Sequence, residues 1–324
     1  MLHTRICDLL GVEHPIISAP MANAAGAELA AAVSEAGGFG MIGGSSGNDP
    51  GWLREQIRLV RERTDRPFGV GFISSRPGQE SLYQVALEEQ VVAICHSFAD
   101  PTPYVPAAHE AGVKVVAQVQ KVSHARIAAL AGVDIIVAQG SEAGGHTGYN
   151  GTLPMVPSVI DVVGGIPVVA AGGIADGRGL ASVLMLGAEG AVIGSRFVAS
   201  VESVKEDWEK EAIVAAGADD TILTKVYDLT SGAAFPRDVG DRVLHNASTG
   251  EWHGRDDEVI AKSEELKERL DLAVKARDLA EVPVRVGSAV GLISKVEPAG
   301  EILRRIVADA ESILRNRPGL VLAG

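Results

Sequence analysis

The stretch IPVVAAGGIADGRGLASVLMLGAEGAVIGSRF, Ile166 to Phe197, decides the fold. It holds an apolar run, a glycine pair, a segment whose apolar residues fall at helical spacing, and a second apolar run that ends in Gly194 and Ser195. A strand buried on both faces reads as continuously apolar, and a helix crossing between two such strands makes them parallel. One such unit suits many folds, so the fold depends on how often it recurs.

Outward from this stretch the pattern repeats along the chain. The apolar runs are PIISAP (15–20), GMIGG (40–44), FGVGF (68–72), VVAIC (91–95), KVVAQ (114–118), DIIVAQ (134–139), PVVAA (167–171) and AVIG (191–194). Between them lie helical patterns such as AELAAAVSEAG, WLREQIRLVRERT and SHARIAALAG, several closing on a glycine suited to a left-handed cap. After the last run, KEDWEKEAIVAAG reads as the eighth helix. Eight β-then-α units of regular length predict an α/β chain folded as a closed (β/α)8 TIM barrel. An open doubly wound sheet is the fallback, but no run opens onto the GxGxxG dinucleotide fingerprint.

The rhythm breaks at residue 219. TKVYDLTSGAAFPRDVGDRVLHNASTGEWHG is polar and turn-rich, and the charged pattern SEELKERLDLAVKARDLA after it suits an exposed helix. The expected organisation is a barrel over 1–218, a mostly helical insertion or lid over 219–285, and a closing segment over 286–324 that ends in a barrel helix, AGEILRRIVADAESILRN.

The 324 residues include 38 glycines and only 4% aromatics, a balance suited to buried parallel strands and tight turns. A formal charge of −13 without a local basic run argues against binding nucleic acid or anionic lipid. No long apolar stretch marks a signal peptide or a membrane span, so the expectation is a soluble cytoplasmic protein. Cys7 and Cys95 form no CxxC pattern and read as small core hydrophobes, and the histidines show no metal-ligand spacing. No metal centre is expected.

In a barrel, chemistry sits on the loops after the strands, and phosphate sites commonly form after the seventh and eighth. Here those loops are AAGGIADGRG (170–179) and GSRF (194–197). Gly172 and Gly173 let backbone N–H groups approach an anion, and Gly194 and Ser195 add two more donors and a hydroxyl. Arg196 could serve either a phosphate or an acidic residue of the barrel wall.

The sixth run leads into QGSEAGGHTG, Gln139 to Gly148, which places His146 on the same rim. Bare backbone at Gly144 and Gly145 allows a flat ligand to pack closely and lets the loop bend the imidazole inward. An imidazole there can act as a general base on a weakly acidic C–H, or it can pair with Glu142 as a loop brace. His96, just past the fourth run, keeps a lesser catalytic claim.

APMA at the first strand, RPFGVGF at the third, QGSEAGGHTG at the sixth, AAGGIADGRG at the seventh and GSRF at the eighth together resemble the nitronate monooxygenases, formerly 2-nitropropane dioxygenases. Flavin-dependent enoyl-[acyl-carrier-protein] reductases and certain NADH:quinone reductases share much of this set. The resemblance runs from about residue 10 to 200 and resumes weakly over 284–293. It implies a TIM barrel with noncovalent FMN, with Pro20, Met21 and Ala22 along the isoalloxazine edge and Gly71 or Ile73 nearby. It further implies that Gln118 and Gln139 reach the flavin ring or ribityl chain, that Gly144 packs on the flavin, and that Ala171, Gly172, Gly173, Gly194 and Ser195 hold the phosphate.

His146 falls on that family's catalytic base. The implied reaction takes a small nitronate and O2 to a carbonyl compound and nitrite; the alternative is NAD(P)H-dependent reduction of a quinone or enoyl thioester. A homodimer is compatible with either. Two departures are visible: relatives often carry lysine where Gln118 stands, and the tyrosine-rich wall of some members is missing near 284–293.

Overall fold

In the computed structural model, which describes residues 2–45, 47, 49–233 and 235–322, the expected apolar runs are strands of one parallel sheet. In chain order the strands are β1 (Ile16–Ser18), β2 (Gly40–Gly43), β3 (Phe68–Ile73), β4 (Ala93–Ser97), β5 (Lys114–Val119), β6 (Ile135–Gln139), β7 (Gly145–Thr147), β8 (Val168–Ala171), β9 (Ala191–Ile193), β10 (Thr221–Thr224) and β11 (Gly240–Leu244). The large sheet runs β1-β9-β8-β6-β5-β4-β3-β2, and a parallel bridge between Ile17 and Phe39 joins its first and last strands. The sheet is thus the eight-stranded wall of a (β/α)8 barrel.

Alternation along each strand sorts the side chains. Ile17, Met41, Cys95, Val116, Val137, Val169 and Val192 fill the barrel interior. The helix Arg5–Leu10 adds Ile6, Cys7 and Leu10 to that cluster; Arg5 bonds to Gly165 and Glu189, just ahead of β8 and β9, so this helix plugs the end opposite the strand C-termini. Both cysteines are free and buried. Residues of opposite phase, among them Val70, Ile94, Val115 and Ile136, meet the helices in a second, larger cluster.

The eighth place in the helical layer differs from expectation. The helix after β9 does form, at Asp207–Ala215, but its Ile213 packs with Val290 and Ile293. The helix Ala299–Val321 lies instead against Gly177–Met185 and Ala27–Glu35. Its stripe of Ile302, Leu303, Ile306, Val307 and Ala310 joins the main core, whereas Ile213 is the one apolar residue that Asp207–Ala215 fully buries. A Cβ at Gly177 would lie 2.4 Å from Asp309 Cβ, so this helix approaches closely because residue 177 is glycine.

Residues 219–285 supply β10, β11 and the helices Val226–Ser231, Ala247–Trp252, Asp256–Ala261 and Ser263–Ala276. Val226, Trp252, Val259 and Leu266 form a small apolar cluster of their own. β10 and β11 pair antiparallel, and β11 pairs in turn with β7, so the segment after β6 is an edge strand of a second sheet. Among the described residues no helix is long and apolar enough to cross a membrane.

Candidate active site

Strand alternation carries Ile73, Ser97, Gln118, Gln139 and Ala171 inward at the C-terminal ends of β3, β4, β5, β6 and β8, and Gly194 follows β9. All of them line one cavity of about 400 Å³ that opens at this rim. Pro20, Met21 and Ala22, after β1, form one wall. Gly144, Gly145 and His146 line it from the loop after β6.

Ala171, Gly172, Gly173, Gly194 and Ser195 come together at one end of this cavity, after β8 and β9. Gly172 and Gly173 have φ of +104° and +74°, a region that favours glycine. Space forbids a side chain at 172 as well, since a Cβ would approach Gly140 O at 2.9 Å and Ala143 N at 3.0 Å. The backbone N–H groups of Gly172, Gly173, Gly194 and Ser195 donate to no described group, which leaves a cup of donors for an anion. The Ser195 hydroxyl accepts from Gly287 N at 2.8 Å.

Arg196 stands outside the cup. It is buried and donates to Glu297 at 2.6 Å, which decides between its two expected partners in favour of the acid. Hydrogen bonds from Arg305, with Lys295 and Arg196 adjacent, hold the Glu297 carboxyl down at about 2.

The imidazole is held from several sides. In the antiparallel pairing His146 stands opposite Asp241, and Gly145 opposite Arg242. Its Nε2 lies 2.9 and 3.1 Å from the two carboxylate oxygens of Asp228. Phe235 stacks on the ring at 3.4 Å between centroids and 12° between planes, and the Arg76 guanidinium lies 4.8 Å over Phe235. Phe98 meets both rings edge-on. Phe98 has φ +64°, a strained conformation for a bulky residue, at the cavity wall.

Glu142 is not the partner of His146. Its carboxylate accepts from Thr152 N and Oγ1 at 2.9 Å each and braces the loop against the helix Thr152–Ile160. Asp241 is fully buried and bonded to Arg285 Nε at 2.9 Å. The ligand atoms of His146, Asp228 and Asp241 lie within 4.8 Å of one another, a spacing a cation could bridge, but Arg285 already neutralises Asp241.

The glutamines divide. Gln139 accepts from Gln120 Nε2 at 2.9 Å and donates to His146 O at 3.1 Å, so it is spent on holding the loop. The Gln118 side chain lines the cavity and makes no hydrogen bond to any described group, so its amide is open to a ligand.

Of the residues singled out in the sequence, Gly71 does not line the cavity, whereas Ile73 does. Nor does flat-ligand packing alone explain Gly144: a Cβ there would lie 2.5 Å from Gly287 N and from Val286 C, so the returning chain at 286–287 already requires glycine. His96 points away from the cavity. It is buried, stacks on Tyr104 at 4.2 Å, shares a 2.8 Å hydrogen bond with Ser74, and is pushed down to about 4 by burial. Sequence reasoning missed Asp228, Phe235, Arg76 and Arg285, because no spacing rule links an insertion to a loop 82 residues earlier.

A cup of N–H donors at one end of a cavity, an open amide on its floor and an imidazole on the rim fit a ligand that carries an anionic group and further polar atoms. The family model for nitronate monooxygenase matches residues 3–85 and 73–309. A probable nitronate monooxygenase of Staphylococcus aureus is 32% identical over 75% of this chain and 80% of its own length. A (3aS,4S,5R,7aS)-5-hydroxy-7a-methyl-1-oxo-octahydro-1H-indene-4-carboxyl-CoA dehydrogenase of Mycobacterium tuberculosis is 37% identical over 70% of this chain, a match that spans 64% of that relative's length.

Among solved structures, FabK from Thermotoga maritima superimposes with a TM-score of 0.88 at 39% identity, covering 99% of this chain and 100% of that one. A nitroalkane oxidase from Streptomyces ansochromogenes gives 0.80 at 26% identity, covering 95% and 98%. The chain is an oxidoreductase that belongs to the nitronate monooxygenase family, a membership that implies a flavin.

Proposed function

We propose that the chain binds FMN and oxidises alkyl nitronates, and the neutral nitroalkanes they derive from, with O2 to a carbonyl compound and nitrite. The observation that carries this reading is the convergence of His146 and the N–H cup on one cavity. When bound, a flavin would supply the redox chemistry between substrate and O2. Gly172, Gly173, Gly194 and Ser195 would hold its phosphate, and the Gln118 amide would be free to bond its polar atoms.

His146 removes the α-proton of a neutral nitroalkane; a nitronate that arrives ionised needs no such step. Phe98 and Phe235 keep water from the reacting carbon. Residues 219–285 act as a lid, since they bring Asp228 and Phe235 onto the imidazole.

The test is the absorbance spectrum of the purified protein, recorded before and after a nitronate is added without oxygen. A flavin band that bleaches supports the reading. A colourless protein that takes up no FMN, or a band indifferent to every nitronate offered, overturns it.

The second reading is an NAD(P)H-dependent flavin reductase of a quinone or an enoyl thioester; a relative named for a carboxyl-CoA substrate supports the thioester part of it. Rapid anaerobic bleaching by NADH or NADPH would point to it.

A further inference from the structure

The carboxylate of Asp228 has a single hydrogen-bonding partner among the described residues, His146 Nε2. Both side chains are nearly closed to solvent, at 11% exposure for His146 and 12% for Asp228. The neighbouring acid cannot substitute for it, because Asp241 is taken up by Arg285 through Nε and a terminal nitrogen. Phe235 covers one face of the ring, and Phe98 closes on it edge-on. The imidazole therefore cannot turn over without disturbing the stack and breaking the hydrogen bond to Asp228. Nδ1 has no partner among the described residues.

We infer that Asp228 is the positioning residue of His146: it accepts the Nε2–H, fixes the neutral ring in that tautomer, and leaves Nδ1 as the nitrogen that takes the proton. In the step the inference describes, which rests on the proposed nitroalkane chemistry, the substrate C–H bond breaks and its electron pair stays with the substrate as the nitronate. The proton bonds to Nδ1. The positive charge the ring gains faces the Asp228 carboxylate about 3 Å away, an arrangement that stabilises the imidazolium without moving a second proton. The insertion is then part of the catalytic apparatus, because the helix Val226–Ser231 delivers the carboxylate. The alternative is a hydrogen bond that only pins residues 219–285 to β7.

Two readouts separate these. The first needs neither flavin nor substrate: nitrogen NMR of 15N-histidine-labelled protein, with the His146 signals assigned by their absence in His146→Ala. In the wild type Nε2 carries the proton and Nδ1 does not. In Asp228→Asn, which keeps the shape of the side chain, and in Asp228→Ala, the tautomer shifts toward Nδ1–H or becomes mixed. The same tautomer in all three proteins overturns the inference. The second readout is the ratio of the rate on a neutral nitroalkane to the rate on its preformed nitronate, which falls roughly 10²–10⁴-fold in Asp228→Asn. An unchanged ratio, with the wild type active on both forms, also overturns it. A wild type inactive on both forms refutes the nitroalkane reading alone, and the tautomer measurement still decides the role of Asp228.

Discussion

Gly71 lies directly beneath Pro20: a Cβ at residue 71 would come within 2.3 Å of Pro20 Cγ and 2.4 Å of Pro20 Cβ. The glycine makes its contribution at one remove, by letting the loop after β1 settle onto β3 so that Pro20, Met21 and Ala22 wall the cavity. Gly69, two residues earlier on the same inward phase, gives the same room to Phe39, whose Cε1 would lie 2.8 Å from a Cβ there. Together they let the first two strands close the barrel.

Gly71→Ala should therefore displace the Pro20 loop and cost about 1–3 kcal/mol, the usual penalty for overfilling a packed interior. Flavin retention should fall with it. Thermal denaturation and the flavin-to-protein absorbance ratio measure the two effects, and a variant indistinguishable from wild type in both would show that the loop tolerates the methyl.

The barrel was legible in the sequence because its strands are buried on both faces and so announce themselves as apolar runs, as at residues 135–138. The glycine pair at 172–173 was legible for a related reason: φ of +104° and +74° is a region that favours glycine. What could not be read was everything that depends on the insertion meeting the rim. His146–Asp228 and His146–Phe235 are side-chain contacts between distant segments, and neither segment carries a local pattern that names its partner. Helix propensity also could not say which of two amphipathic segments, 207–215 or 299–321, fills the eighth place around the barrel. The extent of the apolar stripe decides that.

Gly173→Asp should lower FMN content sharply while the barrel remains folded. A carboxylate at 173 would put negative charge into the cup of N–H groups and repel a phosphate dianion. The backbone there has φ +74°, and a Cβ would lie 3.2 Å from Glu142 Cβ, so some local strain accompanies the charge. Gly173→Asn carries the same strain without the charge and should retain more FMN. Equal FMN content in the two variants would remove the phosphate from this end of the cavity.

His96 should make the protein less stable as pH falls below neutrality. Burial pushes its imidazole down from 6.5 to about 4, so between those values the unfolded chain binds a proton that the folded chain refuses. Its contribution is fully present above about pH 6.5 and is lost progressively as pH falls toward 4. By linkage the loss between pH 7 and pH 5 is about 2 kcal/mol. Urea titrations of wild type and His96→Asn at both pH values test this: the variant should lose about that much less stability on acidification, and parallel losses would place the pH sensitivity elsewhere.

The last prediction separates the two tasks open to His146 by using two forms of one substrate. A preformed nitronate has already lost its α-proton, so a general base has nothing to do for it. A neutral nitroalkane must surrender that proton inside the cavity. His146→Ala should keep FMN, because the N–H cup proposed for its phosphate lies after β8 and β9 and not on β7. It should also still oxidise the nitronate, yet lose roughly 10²–10⁴-fold on the neutral form. Removing the ring also takes away the surface on which Phe235 stacks and the partner of Asp228, so a modest fall in thermal stability is expected as well. Steady-state rates on both forms, each normalised to bound flavin, decide the matter. An equal loss on both would make the imidazole a binding group that senses the nitro oxygens. No loss on either would leave it the structural task of tying the insertion to the rim through Asp228 and Phe235.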